Sequence, residues 1–158
     1  MSRKRKEQNE TGCSPEIETA HAEQIFSSME ALLKKRGLLK NAAIYSEERI
    51  IQADVNHDGI EAEMYFRCDA DNRQIHILTV PKLILDEEKR QEALEYLNAI
   101  NPFLCTGFFY IGSGIFIHCI SFFYSKEKEL DEERFSDYTD GVLLIVADYY
   151  DDLCVFAE

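Results

Sequence analysis

Asp54, Asn56, Asp58 and Gly59 reproduce the opening of a calcium loop, in which alternating oxygen ligands and a tight glycine turn wrap a hard cation. The pattern breaks at its twelfth position, where a bidentate glutamate belongs and Tyr65 stands. The flanks read as strands where a calcium loop needs two helices, so Asp58-Gly59 is expected to be a hairpin turn and no metal is expected. Gly112-Ser113-Gly114 sets a hydroxyl between glycines, but it has no G-x-S-x-G frame, no Gly-Lys-Ser and no following helix to aim at a phosphate. It reads as a turn between strands. His118 and Cys119 are strand neighbours, which sends them to opposite faces, so they neither chelate one metal nor pair as base and thiolate. His76 sits in a strand in the same way, and a pairing of Cys68 with His76 or His118 across strands stays open. Glu61 and Glu63 share one strand face, where two carboxylates could divide acid and base roles; a solvated face accounts for them more simply. With no convergent set, no catalytic residue, no cofactor and no enzymatic activity are expected.

The elements that hold these residues follow from periodicity. Ser14-Pro15-Glu16 opens a helix, Ile25, Met29, Leu32 and Leu33 recur at helical spacing, and Lys34-Lys35-Arg36-Gly37 closes it. From Arg49 to Val80 the period becomes two, clearest in Ile60, Ala62, Met64, Phe66 and Cys68, and turn-rich breaks at 56–59 and 69–72 divide a three-stranded antiparallel meander. Residues 40–50 mark a first strand only poorly. Leu85-Asp86-Glu87-Glu88-Lys89 and Leu130-Asp131-Glu132-Glu133-Arg134 share one helix-start signature, a capping aspartate with acids in the first turn. The helices they open carry Ala93, Leu94, Leu97 and Ile100 on one stripe and Phe135, Tyr138, Val142, Ile145 and Tyr149 on the other.

Between those helices, residues 96–125 contain no Asp, Glu, Lys or Arg. That is long enough for a membrane span, but Pro102 and the glycines at 107, 112 and 114 turn it into a helix end, a loop and a hairpin. Both faces of the hairpin are apolar: Ile115, Ile117, Cys119 and Phe123 on one, Phe116, Ile120 and Phe122 on the other. A strand apolar on both sides must be covered on both sides. The expectation is one α+β domain over 15–155, order α-β-β-β-α-β-β-α, with an antiparallel sheet packed by helices and a disordered basic and polar tail over 1–14.

The chain has 158 residues, 46 % of them hydrophobic, with 17 basic against 30 acidic groups and a formal charge of −13. This excludes a disordered chain and argues against nucleic acid and membrane surfaces as partners. Arg3, Lys4, Arg5 and Lys6 have no apolar stretch behind them to form a signal peptide, and five cysteines with no C-x-x-C pair suit a reducing compartment, so a cytoplasmic location is expected. Residues 126–158 carry three basic against eleven acidic groups, a field that would steer a basic partner.

The phrases Glu92-Ala93-Leu94-Glu95-Tyr96-Leu97-Asn98-Ala99-Ile100-Asn101, the following strand Gly107 to Tyr110, and Leu32-Leu33-Lys34-Lys35-Arg36-Gly37-Leu38 resemble the YbjN family of proposed bacterial sensory transduction regulators. That family is similar in fold to the class I chaperones of type III secretion. The resemblance spans residues 20–152 and implies a homodimer without cofactor that binds a polypeptide client, with Ala93, Leu97 and Ile100 at a dimer contact with the late hairpin. Together with the apolar hairpin, this makes Ala93, Leu97, Ile100, Phe108, Phe116, Ile120 and Phe122 the candidate dimer or client interface. The alternative is a small-ligand sensor or small enzyme with a pocket between sheet and helices lined by Phe108, Tyr110 and His118. A structural subunit of a larger complex is a third reading.

Overall fold

Ile25, Met29, Leu32 and Leu33 line the buried stripe of α1 (Pro15–Lys35). The helix closes where the Leu38 N–H donates to the Leu33 carbonyl and the Gly37 N–H to that of Lys34, both at 3.0 Å. The computed structural model describes residues 15–125 and 128–158. The basic tail and the Ser14 cap lie outside the described residues.

Four strands follow: β1 (Ala42–Tyr45), β2 (Ile50–His57), β3 (Ile60–Asp69) and β4 (Gln74–Pro81). The chain continues through α2 (Arg90–Ile100), β5 (Phe108–Gly112), β6 (Ile115–Phe123) and α3 (Glu132–Cys154). The α+β class and the succession of helices and strands are those read from the sequence, with the short β1 added at one edge. All six strands form one antiparallel sheet in the order β1-β2-β3-β4-β6-β5.

Turn chemistry sets the register. Asp58 and Gly59 have φ of 52° and 87°, the two left-handed positions of a two-residue hairpin, and the Gly59 N–H donates to Asn56 Oδ1 at 3.2 Å. The calcium-like opening is therefore the β2–β3 turn. Ser113 and Gly114 repeat the device between β5 and β6. Both Leu-Asp-Glu-Glu phrases start helical turns: Asp86 accepts from the Glu88 N–H and Asp131 from the Arg134 N–H, each at 3.0 Å. Leu85 and Leu130, one residue earlier, are buried and fix the chain's entry.

All three helices cover the same face of the sheet. One cluster joins α1 and the first half of α3 to β2, β3, β4 and β6; a second joins α2 and the rest of α3 to Phe109 of β5 and Phe116 of β6. Within the helix layer, the Tyr96 hydroxyl of α2 donates to Asp152 of α3 at 2.5 Å, and the Arg36–Asp140 ion pair ties the end of α1 to α3.

One side chain closes a sheet edge. Asn101 Nδ2 donates to the Phe109 carbonyl at 2.9 Å, and its Oδ1 accepts from the Phe109 N–H at 2.7 Å. A side-chain amide thus stands where a seventh strand would pair with β5. Asn101→Ala should cost about 1–3 kcal/mol, the value of two partly buried hydrogen bonds with one donor left unpaired. Urea denaturation would read the loss, and hydrogen exchange at the Phe109 amide should accelerate.

Candidate functional site

Side chains alternate across a strand, so burial under the helices at one position leaves its neighbours on the other face. In β6 the helix side takes Phe116, His118, Ile120 and Phe122, all buried, and the open side takes Ile115, Ile117, Cys119, Ser121 and Phe123. In β5 Phe109 goes under the helices, while Phe108 and Tyr110 stack at 5.8 Å on the open side.

This parity redistributes the candidate interface. Ala93, Leu97, Phe116, Ile120 and Phe122 are at most 6 % exposed and pack inside their own chain, and Ile100 is half-buried against the same core. They are not a free surface, because they are packed between the helix layer and the sheet; a charge at Leu97 would act on folding before it acted on assembly. Of the seven, Phe108, at 49 % exposure, stands on the open face. The alternative pocket does not form either, since Phe108 and Tyr110 lie on the opposite side of the sheet from His118.

The open face instead holds a groove of about 700 Å³. Leu78 and Val80 of β4 and Ile115 and Ile117 of β6 make its floor, Leu83 and Ile84 one wall, and Glu63, Tyr65 and Arg67 of β3 the other. Ile84 in that wall is 60 % exposed, Phe108 of β5 beside β6 is 49 % exposed, and Phe123 at the far end of β6 is 66 % exposed. The sequence reading missed the β4 half, although Leu78 and Val80 repeat in β4 the two-sided apolar pattern recognised in β6.

The polar wall is a hydrogen-bonded lane across three strands. The Tyr65 hydroxyl donates to Glu63 Oε2 at 2.5 Å, Gln52 Nε2 donates to the same oxygen at 3.2 Å, and the Tyr45 hydroxyl reaches Gln52 Oε1 at 3.4 Å. The bond to Glu63 pushes the Tyr65 hydroxyl up to about 12, which keeps it a donor. Glu61 holds Lys82 at 3.3 Å. Each glutamate thus has its own partner, and the pair is not a free acid and base couple.

The remaining chemistry-bearing residues are separated. Cys68 faces the helices, its thiol donating to the Ala22 carbonyl at 3.6 Å, and burial raises its pKa. His76 faces the other way, with Nδ1 2.7 Å from Ser121 Oγ and Nε2 3.7 Å from Asp69. His118 shares the face of Cys68 but pairs with Thr79, level with Met64 and four positions along β3. Among the described residues no three His, Cys, Asp or Glu side chains are grouped to hold a metal, and no helix is long and apolar enough to cross a membrane.

His118 is a core histidine. Its Nε2 lies 3.2 Å from the Thr106 carbonyl, while its Nδ1 and the hydroxyl of its register partner Thr79 are buried without a hydrogen-bond partner. Burial pushes its pKa down to about 4 from 6.5. The unfolded chain binds this proton more readily, so the contribution to stability is complete above about pH 6.5 and is lost as pH falls toward 4. That loss should reach about 3 kcal/mol. Denaturant midpoints at pH 7, 5.5 and 4.5 should fall more steeply for the wild type than for His118→Gln.

No protein-family model matches the chain, and no curated protein matches it. Its fold is similar to the crystal structure of YbjN from E. coli, a proposed transcription regulator, with a TM-score of 0.53 over 80 % of this chain and 92 % of that one. Sequence identity is 13 %, so the likeness is one of fold. The fold expected from the resemblance to the YbjN family is the fold observed.

Proposed function

We propose that this chain is a non-enzymatic cytoplasmic protein-binding module, a chaperone or regulatory adaptor, that seats a polypeptide client on the open face of its sheet. The observation that carries this reading is the apolar groove of β4 and β6, with Ile84 exposed in its wall and Phe108 exposed beside it. An apolar patch of this kind on a folded domain marks a contact surface. The internal pairing of the Glu61 and Glu63 carboxylates supports binding over catalysis.

A homodimer built through the same face is the second reading, favoured by the exposed rings of Phe108 and Phe123. The charge of −13 opposes it, because two copies repel. Ile117→Asp separates surface from core: its side chain lies in the groove, so the variant should still fold, at a cost of about 1–2 kcal/mol for an acid at a half-buried strand position. Tagged protein captured from its native host should retain one near-stoichiometric polypeptide that Ile117→Asp loses. Recovery of the bare protein from both would overturn the reading in favour of a small ligand, and a sedimentation dimer that Ile117→Asp dissolves would favour the homodimer.

A further inference from the structure

The open face is uneven in charge. Asp54 and Glu63 are direct register partners across β2 and β3, and Glu61 lies two residues from Glu63 on the same side. Like charges placed opposite each other across strands destabilise a sheet. One ammonium serves all three carboxylates: Lys82 bonds Glu61 at 3.3 Å, and the charges of Asp54 and Glu63 also help to hold its pKa above the ordinary value. The hydrogen bonds from Asn72 hold the Asp69 carboxyl below the usual range, with the Arg67 charge adding to them; Arg67 itself stands exposed on the groove wall, four positions along β3 from Glu63. Asp54 has no hydrogen bond or ion pair among the described residues, and both hydrogen bonds to Glu63 arrive at Oε2. The groove floor is therefore apolar along β4 and β6, and at its β3 edge the patch of Asp54, Glu61 and Glu63 sets three carboxylates against the one ammonium of Lys82, in a chain whose total charge is −13.

We propose that the groove takes a polypeptide segment combining aliphatic side chains with lysine or arginine, the aliphatic groups on Leu78, Val80 and Ile117 and the cation against Asp54 and Glu63. This rests on the protein-binding reading and adds the chemistry of the partner. Neighbouring strands are about 4.8 Å apart, so the lane from β3 to β6 is about 10 Å wide. An extended segment crosses that width in about three residues, which puts the basic residue two to four positions from the aliphatic ones. A second copy of this chain fits less well, because it brings the same three carboxylates and a like charge of −13, and its Lys82 is already bonded to Glu61.

The test uses three fluorescent twelve-residue peptides with the same leucine and isoleucine positions and with lysine, glutamine or glutamate between them. Binding is read by anisotropy at 50 and 300 mM salt. The lysine peptide should bind at least tenfold tighter than the glutamine peptide at low salt, with the gap narrowing at high salt. The double variant D54N/E63Q should remove most of that gap and leave the glutamine peptide unchanged, since the side-chain amide introduced by E63Q can still accept the Tyr65 hydroxyl. Ile117→Asp should weaken the glutamine peptide, whose binding rests on the apolar floor. Equal binding of the lysine and glutamine peptides to the wild type overturns the charge assignment while the protein-binding reading stands. Absence of saturable binding by any peptide, or binding indifferent to Ile117→Asp, overturns both. A sedimentation dimer that excludes the peptides would make the occupant a second copy and overturn the proposal.

Discussion

Gly107→Ala should lower stability by about 2–5 kcal/mol although it adds one methyl group. Gly107 has φ of +69°, where an alanine is worse by about 1–2 kcal/mol. Its Cβ would stand 2.5 Å from the Cys119 carbonyl oxygen and 2.7 Å from Cε1 of His118. The carbonyl belongs to β6, which is paired on both sides, by β4 and β5, and the imidazole is pinned between Phe109, 4.9 Å away ring to ring, and the Thr106 carbonyl. With neither neighbour free to withdraw, overpacking adds about 1–3 kcal/mol. For a chain of this length the melting temperature should drop by roughly 5–20 °C. A thermal melt within 2 °C of wild type would show that the loop before β5 yields, and would contradict the packing described.

Phe116 and Ile117 are adjacent in sequence and should behave as opposites. Phe116 is 0 % exposed beneath α2 and α3, so Phe116→Ala leaves a ring-sized void and should cost about 3–5 kcal/mol. Ile117 lines the open groove, and Ile117→Ala should cost less than about 1 kcal/mol while reducing client binding. Chemical denaturation and peptide titration of the two variants form one experiment. Similar losses of stability would mean that the sheet is covered on both faces.

The sequence carried the fold wherever an element was long enough to show its period. The α1 stripe, the β3 alternation and the two capped helix starts are local signals, and each stands where periodicity placed it. β1 was nearly invisible because four residues, three of them exposed, hold no second period to count. The candidate site was legible in outline and misassigned in detail. The two-faced apolar character of the hairpin is plain from hydropathy, but which parity the helices claim depends on strand order and helix placement, and those are tertiary choices. Phe116, Ile120 and Phe122 and their neighbours Ile115 and Ile117 are equally apolar, so hydropathy could not choose between them. The acidic lane was hidden for the same reason, since opposing Asp54 to Glu63 requires the β2–β3 register.

The amide of Asn101 sets a limit on growth. A sheet with two receptive edges has a valence of two and can extend into a ribbon of any length. With the Phe109 N–H and carbonyl both held by Asn101, a strand arriving at β5 must displace that amide, which weights extension toward β1. Strand addition at β1 would leave a β5 guarded at Phe109 on either side, which disfavours further growth. A single asparagine thus guards an edge against extension, and its loss should register in the size of any assemblies as well as in the melting curve.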